Sequence, residues 1–422
     1  MLGDKIGMNT GIWEDLYQSL KKPPMDPVMT GFNANIDRIL RLTPALLRFL
    51  EQHAFEGFDA LLPRLEQSLK YCSADEVFIS EPSRYRVLSG NFSRSGRISL
   101  GGQAGIAAVH LRRLGVPSVT CVVPGAGPRT CALLEHAGVI PLTFAQGGGD
   151  DIVHLVFEYP PGLVPPAKGV VPRSNRFIVS PLHDPSTVLI PPASAHSLQQ
   201  QTASCRRAFL SGYQYLHTEQ EFVTAARQIR MIRDLHPLMR THVECVSGAE
   251  RQVMGLMLRH IFPNTDSIGL NERELGLFMH VVRESSATSA DIRPCSPLAC
   301  VRDAVTLAGA CGVSRVHLHT FGYYVLVLKP ETSEPEVSRN ALLLAARVAA
   351  ETGGPKEPVL SQEGLLAYAS VRETWSPEEA TGIFRVDDHV VVIVPTYISP
   401  DIQKTTGLGD VISSTAFVAD RF

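Results

Sequence analysis

The stretch AFLSGYQYLHTEQEFVTAARQIRMIRDLHPLMRTHVECV, residues 208–246, sets the fold class. Ala208, Phe209, Leu210 and Ser211 read as a short apolar strand. Residues 221–235 carry apolar side chains at helical spacing, and residues 241–246 read as a second strand. A strand, a helix and a strand in that order make a βαβ unit, whose crossover places the two strands parallel in one sheet. The same rhythm extends both ways. Residues 28–32 read as a strand, 103–114 as a helix opening after Gly101 and Gly102, and 118–123 as a strand followed by a Pro/Gly turn at 124–128. Further on, 301–310 read as a helix and 315–319 and 323–328 as strands, while 190–197 and 330–338 read as surface loops. The chain is therefore expected to be α/β, with a central, mostly parallel sheet and helices on both faces.

Two regions break the rhythm. Residues 38–100 show helical and then irregular polar patterns, and residues 143–180 hold strand-like runs separated by a Pro/Gly-rich stretch. Together they predict a smaller α/β lid domain (38–100 and 143–180) inserted into a large domain (1–37, 101–142 and 181–422). The length of 422 residues suits such a division.

Composition narrows the class. Apolar residues make up 44% and charged residues 19%, the balance of a folded soluble protein. The formal net charge of -3 and the absence of a Lys/Arg block argue against nucleic acid and anionic membrane as partners. No apolar run reaches the length of a membrane span and no signal peptide is visible, so a cytoplasmic location is expected. The eight cysteines are scattered without C-x-x-C or zinc-type spacing, as expected of reduced thiols.

A Walker phosphate loop and a Rossmann G-x-G-x-x-G are both absent, yet several segments suit an anion or a polyol. Gly407, Leu408, Gly409 and Asp410 follow an apolar strand at 390–395 and open a helix. Backbone amides and the helix dipole make an anion site there, with the Asp410 carboxylate beside it to take a proton; a plain helix cap is the alternative. GFNANID (31–37) ends the first strand, where ligands bind in open α/β sheets, and Asn33 and Asp37 suit sugar hydroxyls. An Asx-capped turn reads equally well. Gly102 and Gln103 can approach and hydrogen-bond a ligand, or can simply form a tight strand-to-helix turn. His242 and Glu244 end one strand, while Asn271 and Glu274 open a helix. These oxygen donors suit Mg²⁺ carried with phosphates and held mostly through water, and Asn271 with Glu274 also reads as a capping box. Arg176, at the start of an apolar strand, can clamp a phosphate or form an exposed ion pair.

In order along the chain, the motifs GFNANID, GGQAGIAA, HLVFEY, NRFI, HVE, NERE, HLHTFGYY and TTGLGD resemble the archaeal ADP-dependent phosphofructokinase and glucokinase family of the ribokinase-like superfamily. The resemblance implies a Rossmann-like nucleotide domain under a sugar-covering lid. It implies Asp410 as catalytic base, with Gly407, Leu408 and Gly409 as the anion hole. Arg176 then grips the nucleotide β-phosphate, with His319, Tyr323 and Gly409 on the nucleotide side. Glu274, Asn271, Glu244 and His242 organise Mg²⁺, and Asn33, Asp37, Gly102, Gln103 and His154 contact the sugar. The residues before the Gly-x-Gly-Asp turn, Lys404, Thr405 and Thr406, fit the ADP-dependent branch. The implied reaction moves the β-phosphoryl group of ADP to a sugar in a modified glycolysis.

The acceptor divides the family. A lid glutamate favours glucose, and Glu76 aligns with it, with a surface acid as the alternative. A sugar 6-phosphate needs cations, and Lys168, Arg173, Arg206 and Arg207 lie near the lid strands in sequence, Lys168 and Arg173 nearest to Arg176. The phrases LSGYQ (210–214) and HTFGYY (319–324) lean towards fructose 6-phosphate, giving fructose 1,6-bisphosphate and AMP. Glucokinase or dual activity is the alternative. An ATP-dependent ribokinase-like kinase and a non-catalytic sugar-binding protein are the rivals from outside the family.

Overall fold

The computed structural model describes residues 10–52, 61–72, 75–144, 150–163, 170–171, 174–246, 251–284, 295–331, 334–354, 356–378, 380–399 and 407–422. Ten strands form one large sheet. In spatial order they are Ile383–Val386, His389–Pro395, Tyr323–Leu328, Arg315–His319, Ser267–Asn271, Arg240–Glu244, Arg207–Leu210, Val28–Gly31, Val119–Val122 and Ile140–Leu142. From Ile140–Leu142 across to Arg315–His319 every neighbouring pair is parallel, and the strands beyond pair antiparallel. Val28–Gly31, Val119–Val122 and Arg207–Leu210 are buried at every position. Strands covered on both faces must be apolar on both, which is why they read as continuous apolar runs.

The βαβ unit that set the fold class forms as expected. Helix Glu219–Leu235 starts on a Thr218/Glu221 capping box and buries Phe222, Ala225, Ile229 and Ile232 between the parallel strands Arg207–Leu210 and Arg240–Glu244. Helix Gln103–Leu114 has the predicted bounds.

A five-stranded sheet stands apart, in the order Asp75–Ile79, Asn175–Pro181, Val153–Tyr159, Asn35–Arg41 and Arg97–Gly101. It has its own core, including Leu65, Leu88, Phe157 and Phe177, against helices Leu62–Tyr71 and Pro82–Asn91. The chain leaves the large sheet at Gly31 and enters the small one at Asn35. Asn35 and Asp37 therefore sit on the small sheet, ahead of the boundary drawn after residue 37.

Two segments read as loops contain helices. Pro335–Gly353 is a 19-residue helix with Pro335 in its first turn, where a proline ring costs no hydrogen bond. Ala195–Thr202 is a shorter one. Among the described residues no helix is long and apolar enough to cross a membrane.

The first described helix, Thr10–Ser19, is docked by two rings. Trp13 is fully buried and meets Tyr368 edge-on at 5.1 Å, and Tyr17 stacks on Tyr397 and donates to the Pro395 carbonyl at 2.8 Å. Trp13→Ala is expected to cost about 3–5 kcal/mol of unfolding free energy. Denaturant titration checks this, and a loss below about 1 kcal/mol would show that the helix is not held by its tryptophan.

Candidate active site

The parallel strands deliver their C-terminal ends to one edge of the large sheet, and the small sheet hangs over that edge. On the large-sheet side, Gly407 turns the chain into helix Leu408–Ala419 with a φ of 73°, a conformation that suits glycine. A Cβ there would also stand 2.9 Å from the Ile106 side chain. Among the described residues no side chain caps this helix. Its first N–H groups therefore face the cleft with the positive end of the helix dipole behind them.

Asp410 lies in that first turn and is almost fully buried. Burial pushes its carboxyl up to about 7. Glu244 and Glu274 add to the rise, while Arg176 and His319 oppose it. A carboxyl tuned to neutral pH is what proton acceptance at pH 7 needs.

Arg176 comes from the small sheet, yet its charge acts on Asp410 on one side and on Asp37 and Glu76 on the other. It stands half-buried between the two halves of the site. Among the described residues its buried Nε has no hydrogen-bond partner. A cation with an unused donor, close enough to act on Asp410 in the first turn of that helix, makes with the helix N-terminus a place for a multiply charged anion.

The acceptor side is built around Asp37. Asn35 Nδ2 donates to Asp37 Oδ1 at 2.7 Å, and Asn35 Oδ1 is buried without a partner among the described residues. Burial raises the Asp37 carboxyl to about 7, the Asn35 hydrogen bond opposes it, and Glu76 adds to the rise. Gly101 passes so close that a Cβ would fall 2.0 Å from Asp37 Oδ1. Glu76 accepts from Ser180 Oγ at 2.6 Å, and burial raises its carboxyl. His154 lies 3.9 Å from Glu76 and shares a 2.9 Å hydrogen bond with His183, which stacks flat on Tyr215. Burial keeps both imidazoles neutral. Gln103 donates an amide N–H to the Cys245 carbonyl, and among the described residues its buried Oε1 has no partner. Gly102 caps its helix within the same loop contact.

Several expected contacts are placed differently. Asn33 Oδ1 is used internally, accepting from Ala104 N at 3.2 Å and Ser211 Oγ at 2.6 Å, and Asn35 has the open oxygen instead. Asn35 precedes Asp37 by two on a strand, so the two share a face. That period was the missed signal. Tyr323 is a core residue of the hairpin, with its ring buried, rather than a cleft residue. His319 points to Glu244, with Nε2 3.0 Å from Oε1. Arg207 donates to the Asp420 carbonyl and faces Phe417 and Phe422 at 5.4 Å, and Arg206 bonds backbone carbonyls beside it. Both arginines lie at the end of helix Leu408–Ala419 away from Asp410, so neither serves a sugar phosphate. Lys168 and Arg173, and Lys404, Thr405 and Thr406 before the turn, lie outside the described residues.

The acidic motifs converge near Asp410. Asn271 and Glu274 form both halves of a capping box. His242 is fully buried, and burial lowers it to about 4 despite its bond to Glu244. Burial pushes Glu244 upwards, but hydrogen bonds from His242 and His319 outweigh that and hold it at about 2. Both Glu244 oxygens are engaged by protein donors. Among the described residues no three His, Cys, Asp or Glu side chains converge to ligate an ion directly. The donor set fits Mg²⁺ carried on a phosphate and held through its waters, not a closed protein cage.

The family model described as the ADP-specific phosphofructokinase/glucokinase conserved region matches residues 26–419. The chain belongs to that family. The ADP-dependent glucose/glucosamine kinase of Pyrococcus furiosus is 27% identical to this family member, over 97% of the chain and 98% of that enzyme. The ADP-specific phosphofructokinase of Methanosarcina acetivorans is 24% identical, over 94% and 93%. An ADP-dependent kinase solved with fructose 6-phosphate and ADPβS superposes with a TM-score of 0.80 at 22% identity, covering 99% of this chain and 98% of that one. The fold of this family member is therefore ribokinase-like, as expected, and it is a kinase of the ADP-dependent sugar-kinase family.

Proposed function

We propose that this kinase transfers the β-phosphoryl group of ADP to a hydroxyl of an unphosphorylated hexose of the glucose type, leaving AMP. The observation that carries the acceptor is the paired carboxylates Asp37 and Glu76, buried beside neutral His154. Carboxyl groups and an imidazole hydrogen-bond sugar hydroxyls well, whereas two buried acids offer a 6-phosphate dianion no positive charge. Fructose 6-phosphate, favoured by the sequence, is the second reading. It draws on the related phosphofructokinases and on Lys168 and Arg173, near Arg176 in the chain.

In this mechanism Asp410 accepts the proton of the attacking hydroxyl. The amides of Leu408 and Gly409, with Arg176, take up the charge on the transferring group. Glu244, Glu274 and Asn271 would hold the waters of Mg²⁺, which supplies charge neutralisation on the phosphates when bound. The small sheet, reaching down with Arg176 and Asp37, keeps water from the reacting centre.

A coupled assay with ADP and Mg²⁺ tests the reading. Glucose is expected to turn over with the higher kcat/KM. Glu76→Ala is expected to lower kcat/KM for glucose roughly 10- to 100-fold, the cost of losing a charged hydrogen bond, and to leave fructose 6-phosphate within about threefold. Faster turnover of fructose 6-phosphate, weakened by neutralising Lys168 or Arg173, would reverse the acceptor assignment. Turnover with ATP alone would end the donor assignment.

A further inference from the structure

Beneath the Gly407 turn runs a chain of buried hydrogen bonds whose donors converge on the Glu244 carboxylate from both sides. Arg315 and Asp420 form a fully buried ion pair, Nε to Oδ2 2.9 Å. Arg315 Nη1 donates to Ser267 Oγ at 3.0 Å, and that hydroxyl lies 2.8 Å from His242 Nδ1. His242 Nε2 lies 3.0 Å from Ser413 Oγ and 3.2 Å from Glu244 Oε2. Ser413 donates to Glu244 Oε2, and Glu244 Oε1 accepts from His319. The His319 ring closes the chain against Gly409, its Cε1 3.3 Å from where a Cβ would stand.

The two ends fix the middle. An arginine only donates and an ionised carboxylate only accepts. His242 Nε2 faces the Glu244 carboxylate, which only accepts, so the His242 proton sits on Nε2, and Nδ1 accepts from the Ser267 hydroxyl while Arg315 donates into the same oxygen. That proton points to Ser413 and Glu244, and Ser413 passes its own to Glu244. We propose that this convergent chain is a positioning device for phosphoryl transfer, in which the buried hydroxyls of Ser267 and Ser413 set the Glu244 carboxylate and, through His319, the amides beside Asp410. The proposal rests on the transfer reading above. Every oxygen and ring nitrogen along the chain from Ser267 to His319 Nε2 has a partner, although Arg315 Nη2 has none among the described residues. Such a network in low dielectric is stiff, and small errors in the place of anion-binding amides are costly only in the transition state.

Ser413→Ala and Ser267→Ala are expected to lower kcat roughly 10- to 100-fold with both KM values within about twofold. Ser414→Ala is the control. Ser414 is equally buried, but its hydroxyl returns to carbonyls of its own helix. It is expected to lose stability comparably and to keep kcat within about twofold. Nitrogen NMR of His242 reads the chain without any turnover: Nδ1 is expected to be unprotonated and hydrogen-bonded, and its shift to move towards that of a bond-free nitrogen in Ser267→Ala. The proposal is overturned if both variants match the Ser414→Ala control in kcat, or if Nδ1 carries the proton in the wild type. A wild-type protein inactive with ADP would defeat the transfer reading, and the spectrum would still decide whether the chain of donors exists.

Discussion

Asp410→Asn is expected to lower kcat by a factor on the order of 10³ or more, because it removes the proton acceptor and leaves the anion site unchanged. The same substitution is expected to stabilise the protein at alkaline pH. The Asp410 carboxyl stands at about 7 in the folded protein, raised chiefly by burial, against an ordinary value of about 4. The folded state thus holds the proton more tightly than the unfolded chain. Its contribution to stability is full below about pH 4 and is lost as pH rises through about 7. Above that, ionised Asp410 costs up to roughly 4 kcal/mol, which the neutral amide avoids. Melting curves should show the variant above wild type at pH 8, with the gap closing as pH falls from 7 towards 4. The wild-type kcat should rise with pH through about 7. A melting gap independent of pH, or a variant that keeps the wild-type rate, would remove Asp410 from its role as base.

That carboxyl was legible in the sequence because the turn that holds it is local. Gly407, Leu408, Gly409 and Asp410 sit within one helical turn after an apolar strand, and the sheet alternation around them is equally local. The helix Pro335–Gly353 was within reach too. The loop expected over 330–338 overlooks Pro335, since a proline opening a run of Leu and Ala at helical spacing marks a helix start. Asn35 needed only the two-residue period from Asp37. Other residues take meaning only when distant strands meet. Ser413 touches Glu244 across 169 positions, and His319 touches it across 75. No local pattern separates Ser413 from Ser414, yet the first faces the acidic cluster and the second its own helix. Arg206 and Arg207 misled for the same reason: they are near the lid strands in sequence but start a strand whose other end faces the cleft.

Gly269 is the residue that sequence reading had least reason to notice, and Gly269→Ala carries the second large expected effect. It lies within strand Ser267–Asn271, between the strands that supply Glu244 and His319. Its backbone is not in the left-handed region, so alanine meets no conformational objection there. The obstacle is space. A Cβ would stand 2.1 Å from Glu244 Oε2, 2.5 Å from Ser413 Oγ and 2.7 Å from His242 Nε2. None of these atoms is the free end of a solvent-facing chain. Each is hydrogen-bonded to another of the three, and Glu244 and His242 are fixed by their strand. The methyl group must therefore break bonds to a buried, ionised carboxylate. Overpacking costs about 1–3 kcal/mol, and a buried charge that loses partners adds to this. The expected result is a fall in kcat of roughly 10²- to 10³-fold with a lower melting temperature and a far-UV spectrum like that of the wild type. Gly309→Ala is the matched control. That glycine lies inside helix Pro297–Cys311 with nothing within 4 Å of the added methyl, so it is expected to be neutral or to stabilise by about 0.5–1 kcal/mol. If Gly269→Ala kept full activity, the acidic cluster could shift freely, and neither Glu244 nor the donors that hold it would matter to the transfer step.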